Sequence, residues 1–348
     1  MMNEPTHRLA DDPLQDARIP PNIVAGVLDI VEQRGTNTEP LLVGTGLTRG
    51  QIDLPGTRLS FRQATTILRR ALHTLPAGPV GMRMGGRDVL LSWGLVGFAI
   101  RSSRSGAEAI AIGTSLHQAA GSLLNCEINY GTDEFELRLL ERSPDAELLP
   151  FLSEEACASI VALVRAAFGG QITPKRIEFS YPAPAYADVY RRFFQCPIQF
   201  GAQHVRIWFD TELLDRPIPT ANPAQLAIAV EAARQLADAE GHRPDTVAAV
   251  VGVLRENLRH PVTMAQIADR LAISDRTLHR RLTDAGLKFG EIRDRVRMHR
   301  ATVLLRESNI PVAVVATEVG FSDSRQFRRA YQRWTGKTPS AERASAGR

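Results

Sequence analysis

Apolar positions follow two rhythms along this chain, and the helical one is written twice near its end. The first copy, I-A-D-R-L-A-I-S-D-R-T-L-H-R-R-L, occupies residues 267–282; the second, V-A-T-E-V-G-F-S-D-S-R-Q-F-R-R-A-Y, occupies residues 315–331. Ala268 matches Ala316, and Leu278, Arg280 and Leu282 match Phe327, Arg329 and Tyr331 at an offset one residue longer, so the second turn carries an insertion. Ile267 with Leu271, and Leu278 with Leu282, stand at i, i+4, which predicts a short helix, a tight turn and a second helix burying facing stripes. Small Ala268 permits a close crossing. Ser274 stands where an N-cap is needed, and Asp323 with Gln326 has the spacing of a capping box. Between the copies, Ile292, Val296, Met298, Val303, Leu304 and Leu305 give residues 289–307 a helical face. At 1.5 Å per residue this predicts a rod of roughly 28 Å.

Upstream the rhythm alternates between periods. Residues 1–20 are polar and contain proline, as a flexible tail does. Residues 23–34 read as an amphipathic helix stopped by Gly35, residues 36–55 as loop and short turns, and residues 59–75 as a helix capped by Ser60. A glycine-dense stretch (78–97) and an alanine-rich, helical one (105–125) follow. Residues 124–130 and 134–141 face each other across Gly131-Thr132-Asp133 as a β-hairpin. Residues 151–168 predict a long apolar helix ended by Gly169-Gly170, used to fill its own core in preference to an interface. Ile177, Phe179 and Tyr181 mark a strand, residues 185–194 a helix, residues 204–209 a strand and residues 224–240 a helix. Gly241-His242-Arg243-Pro244 breaks that helix and sets a domain boundary. The expected architecture is an α+β domain over residues 21–240, then an all-α domain over residues 245–343 holding two helix-turn-helix motifs joined by a long helix.

Charge separates the same two parts. The net charge of +4 hides 19 Lys and Arg against 11 Asp and Glu from residue 245 onward, a balance of +8, with 23 against 27, or −4, before it. Only the C-terminal part is an electrostatic partner for phosphate. Cys126, Cys157 and Cys196 are too dispersed for a disulfide framework or zinc site, so a reduced cytoplasm is expected. With no apolar leader and no long apolar run, neither secretion nor a membrane span is expected.

Outside the buried stripes the repeated motif is basic and polar: Ser274, Arg276, Thr277, His279, Arg280 and Thr283 in one copy, Ser324, Arg325, Gln326, Arg328 and Arg329 in the other. Guanidinium groups suit guanine edges and phosphates, and glutamine suits adenine, so these residues are the candidate contacts to double-stranded DNA. Recognition helices entering successive major grooves sit about 34 Å apart, and the intervening rod suits that spacing.

Residues 310–339 carry Ile310-Pro311-Val312, Val315-Ala316, Val319-Gly320-Phe321-Ser322-Asp323, Phe327, Arg329, Tyr331 and Gly336-Lys337-Thr338-Pro339. This pattern resembles the DNA-binding domain of the AraC/XylS transcriptional regulators, over about the last hundred residues. Leu282, Tyr331 and Val315 replace the family's commoner Phe, Phe and Ile and stay apolar. The first part, with G-L-V-G-F-A-I-R-S-S from residue 94 and Y-R-R-F-F-Q-C-P-I-Q-F-G-A from residue 190, resembles the arabinose-binding-type sensor domain found ahead of some of these regulators. That resemblance implies binding of a small effector, homodimerisation through the first domain, contact with RNA polymerase and activation of transcription. The residues themselves leave repression open.

Candidate effector contacts are Trp93, Phe98, Tyr130, Tyr190 and Trp208, with Arg101 available to an acidic ligand; ordinary core packing is the competing use of the aromatics. The alternative of an enzyme or protein-interaction domain with a DNA-binding tail finds little support. G-P-V-G-M-R-M-G-G matches no phosphate-binding loop, G-T-S-L-H is not a nucleophile elbow, and the scattered histidines form no metal-ligand spacing. Cys196 for alkyl transfer would need an activating basic or metal neighbour. A regulator without catalytic residues, cofactor or metal is therefore expected.

Overall fold

The computed structural model describes residue 14 and residues 16–346, except 55, 171, 239–243 and 261. Most of the expected tail and the break at residues 241–243 lie outside the described residues. The chain forms two compact units: residues up to Leu41 with Pro55–Arg243, and Leu42–Leu54 with Pro244–Arg348.

The first unit is α+β. Its five strands are β1 (Leu124–Tyr130), β2 (Glu134–Glu141), β3 (Arg176–Glu178), β4 (Ile198–Gln199) and β5 (Val205–Asp210), ordered β1-β2-β5-β3-β4. The hairpin pairs Leu124 with Glu141 through Tyr130 with Phe135, and only β3 and β4 run parallel. Phe135, Leu137 and Leu139 alternate inward from β2, the period-2 pattern of a sheet with one buried face. The chain is held well before residue 20: Ala17 and Ile19 are buried, and Ile19 bridges Leu59.

Helix starts follow local chemistry. Ser60 accepts from the Gln63 amide at 3.0 Å while Gln63 Oε1 accepts from the Ser60 amide at 2.9 Å, closing a capping box on Phe61–Thr74. The alanine-rich helix covers only Gly106–Leu116; residues 117–121 go on as turns, and Gly121 has φ +93°. The glycine-dense stretch is itself helical, as Val80–Gly85 and Val89–Ser102 with a non-helical Gly94. Its glycines serve packing: Gly81 and Gly85, one turn apart, lie against the backbone of the Leu149–Phe168 helix.

The second unit is all-α with two cores. Helices Asp245–Glu256, Met264–Arg270 and Asp275–Asp284 bury Val250, Ile267, Leu278 and Leu282 together with Ile292 and Val296. Val312–Glu318 and Ser324–Thr335 bury Val315, Phe327 and Tyr331 together with Ala301 and Leu305. The Phe289–Glu307 helix therefore gives its first half to one core and its second half to the other. Trp334 Nε1 donates to Asp294 Oδ2 at 3.1 Å, and Arg259 Nε donates to Glu318 Oε2 at 2.9 Å, so polar contacts also tie the subdomains.

Leu42–Leu54 is a non-local part of this unit, where the sequence reads loop and turns within the first domain. It forms two single-turn helices, Glu39–Leu42 at its start and Arg49–Ile52, the latter capped reciprocally by Thr48 and Gln51. Thr48 Oγ1 donates to Glu256 Oε1 at 2.8 Å. A Cβ on Gly46 would stand 2.2 Å from Leu271 Cδ2 and 2.5 Å from Ala249 Cβ, so only glycine permits this approach.

Candidate nucleic-acid interface and effector cavity

Two recognition helices, Asp275–Asp284 and Ser324–Thr335, each bury one face and present the other. Ser274 Oγ accepts from the Thr277 amide at 3.2 Å and lies 2.8 Å from Thr277 Oγ1. Asp323 Oδ1 accepts from the Arg325 amide at 2.9 Å, so the second cap is made to Arg325. Arg276, His279, Arg280 and Thr283 are exposed, and they line one shallow groove with Thr277 and Asp284. Thr283 has its hydroxyl on the His279 carbonyl at 2.9 Å, which leaves the guanidinium and imidazole groups as the outward donors. Arg325, Gln326, Arg328 and Arg329 are exposed on the other helix, while Ser324 is half-buried. The connecting helix has 19 residues and adds exposed Arg295, His299 and Arg300, which periodicity alone does not separate from an ordinary solvated face.

The six candidate effector contacts are dispersed. Tyr190 is fully buried among Phe179, Phe194 and Phe200, and its hydroxyl donates to Glu154. Trp208 is buried with Arg176 and Arg206 stacked at 4.0 and 4.9 Å from its ring centroid. Tyr130 and Phe98 are exposed. Arg101 is half-buried and its carbonyl accepts from Thr220. Trp93 alone of the six lines an apolar cavity of this unit, whose volume is about 100 Å³.

That cavity lies among the Val89–Ser102, Gly106–Leu116 and Leu149–Phe168 helices and the β1–β2 hairpin. Its wall includes Ile100, Ile110, Leu137, Leu163 and Phe168, residue types that a sequence reading assigns to core, together with His117 and Glu155. The available signal was a pair of adjacent carboxylates in an apolar helix. Glu154 is consumed structurally, accepting from the Tyr186 hydroxyl at 2.9 Å and the Gly81 amide at 3.1 Å as well as from Tyr190. Glu155 faces the cavity, and burial pushes its carboxyl up to about 7 against the opposing effects of the Ser159 hydrogen bond and the Arg87 charge.

Between its ordinary value of 4.5 and about 7, Glu155 holds a proton in the folded unit that the unfolded chain has released. Its contribution to stability is therefore full below pH 4.5 and is lost as pH rises through about 7. Urea unfolding at pH 5 and pH 7.5 should show a loss that is smaller in Glu155→Gln; an equal loss in both proteins contradicts the assignment.

The thiols are poor nucleophiles. Burial pushes Cys126 and Cys196 up to about 11 and raises Cys157 well above its ordinary range, so all three remain protonated at neutral pH. Among the described residues no cluster of three or more His, Cys, Asp or Glu side chains is placed to hold a metal ion, and no helix is long and apolar enough to cross a membrane.

A sheet-containing unit with a ligand-sized cavity, followed by paired helix-turn-helix motifs, is the layout of a ligand-responsive transcription regulator. Residues 35–218 match the family described as the arabinose-binding domain of AraC transcription regulators, and residues 267–345 match a helix-turn-helix domain family. The chain belongs to the AraC family of DNA-binding transcription regulators. The ornithine utilization regulator of Pseudomonas aeruginosa is 26% identical over 322 residues, covering 92% of this chain and 95% of that relative. The regulator VqsM of the same organism is 32% identical over 162 residues, 45% of this chain and 49% of its own. Among solved structures, the transcriptional regulator CdpR from Pseudomonas aeruginosa covers 91% of this chain and 96% of its own at 20% identity, with a TM-score of 0.45.

Proposed function

We propose that the protein acts in the cytoplasm as an effector-controlled activator, working as a homodimer, with the first unit as sensor and the second as the operator reader that recruits RNA polymerase. Two basic helix faces mounted on separate cores and joined by one 19-residue helix carry the reading. A helix of that length spans roughly 28 Å, which brings the two faces to about the repeat of successive major grooves. Arg276, Arg280, Arg325, Arg328 and Arg329 supply base and phosphate contacts, with Thr277, His279, Thr283, Ser324 and Gln326 beside them and Ser274 and the helix N-termini against the backbone. Activation and dimerisation are taken from the family resemblance and are tested by transcription in vitro and by sedimentation. The protonated thiols and the absence of a recognisable nucleophile motif favour a non-catalytic role.

Genomic fragments selected by the purified protein at fixed, near-physiological salt should yield one motif with two informative blocks about one helical turn apart. On that operator, Arg280→Ala and Arg329→Ala should each weaken binding by about 1–3 kcal/mol and relax preference at separate blocks. Unchanged affinity and unchanged preference in both variants would remove these two helices from the interface.

A further inference from the structure

The cavity in the first unit offers two acceptors, His117 Nε2 and Glu155, while its hydroxyls are bonded within the protein. The hydroxyls of Thr114, Ser122 and Ser159 are spent inside the protein, donating to Ile110 O at 2.8 Å, Leu124 O at 2.9 Å and Glu155 Oε1 at 2.8 Å. Asn22 Nδ2 donates to Ala120 O at 2.9 Å. His117 Nδ1 lies 2.7 Å from Thr114 O, which assigns the ring proton to that nitrogen. Burial lowers the His117 pKa, so the ring is neutral and its Nε2, buried without a hydrogen-bond partner, is an acceptor. Glu155 retains lone pairs beyond the one used by Ser159. Among the described lining residues there is no lysine or arginine.

Ligand classes separate on this wall. A carboxylate or phosphate would find no cation in the lining and would meet the acceptors Glu155 and His117 Nε2 instead. A sugar would leave most of its hydroxyls unpaired, each at a desolvation cost. A pure hydrocarbon would satisfy neither His117 nor Glu155. A molecule with one cationic donor group and an otherwise apolar body satisfies all of these conditions. The volume of about 100 Å³ sets its size, since apolar cavities on the order of 150 Å³ admit one benzene-sized molecule.

We propose that this cavity binds a compact apolar monoamine, with its ammonium on the Glu155 carboxylate and its hydrocarbon body against Trp93, Ile110 and Phe168. The assignment rests on the reading of the first unit as the effector domain and names the chemical class of that effector. An ammonium adds to the Arg87 charge and the Ser159 hydrogen bond in favouring ionised Glu155, against the burial that holds its proton. The arginine that the sequence offers to an acidic ligand, Arg101, is not part of the lining.

The test uses the full-length protein and three four-carbon ligands of one shape that suit a volume of about 100 Å³: isobutylamine, isobutanol and isobutyrate, followed by calorimetry and thermal shift. Isobutylamine should bind saturably, isobutanol at least about tenfold more weakly, and isobutyrate not at all, because the charge-assisted contact is the discriminating one. Glu155→Gln should remove that tenfold advantage while leaving the alcohol unchanged. A Cβ on Gly113 meets only Ile100 Cδ1 at 3.4 Å, so Gly113→Leu should fill the cavity with native circular dichroism and abolish binding of both. Equal binding of alcohol and amine, binding of isobutyrate, indifference of the amine to Glu155→Gln, or no amine binding at millimolar concentration each overturns the proposal. Operator binding with and without a metabolite extract separates the two levels. If extract shifts operator binding of the wild type and Gly113→Leu alike while isobutylamine fails to bind, the cavity assignment falls and the effector reading stands. If no addition alters operator binding, both fall.

Discussion

Replacing Phe327 by aspartate is expected to unfold the second helix-turn-helix while the first stays folded. Phe327 is fully buried, with Phe321 and Tyr331 rings 5.6 and 5.7 Å away, in a core that shares no residue with the one around Leu278. Truncating a buried Phe costs about 3–5 kcal/mol on its own, and an unpaired carboxylate in the same place adds several more. That total is comparable to the stability of a whole domain, about 5–15 kcal/mol. Amide exchange should show protection lost over residues 312–346 and kept over residues 264–284, and the operator footprint should shrink to one block. Leu278→Asp should give the mirror result. Uniform loss of protection in both variants would mean that the two cores fold as one, and uniform retention would mean that Phe327 is not a core residue.

Gly85→Leu should strongly destabilise the first unit. A Cβ there would stand 2.1 Å from the Glu155 carbonyl oxygen and 2.7 Å from the Ser159 amide, and both are backbone atoms of a helix that cannot rotate away. Gly81 makes the same approach one turn earlier, at 2.4 Å from Phe151 O. Overpacking of this kind costs about 3 kcal/mol when side chains cannot absorb it, and for a domain of this size that lowers the melting temperature by on the order of 10 °C. Thermal unfolding followed by circular dichroism should show the drop for the first unit's transition, while the isolated operator contacts respond only to the unfolding itself. A shift of less than about 2 °C would show that the helices separate freely.

The repeated motif was legible because its information is local. Leu278 and Leu282, or Phe327 and Tyr331, repeat at helical spacing; Ser274 caps through atoms three residues away; the period-2 runs at residues 124–130 and 134–141 meet across three turn residues. Each of these is settled by the residue and its near neighbours, and the structure shows the predicted helix over Phe289–Glu307 with the same ends. The glycine-dense stretch was visible as composition, while the use of its glycines and of the two carboxylates of the Leu149–Phe168 helix depends on packing.

Sequence alone determined the order of elements, the two helix-turn-helix units, their basic faces and the contrast in charge between the halves, because periodicity, capping and charge need no partner distant in the chain. Tertiary structure decided what depends on such partners. It made Leu42–Leu54 part of the second unit through Thr48 and Glu256, used Gly81 and Gly85 for a helix crossing, and sent Tyr190 and Trp208 into packed layers. It also turned Glu154 inward to the tyrosines and Glu155 toward a cavity, a division between adjacent identical residues that only the packing of surrounding helices sets.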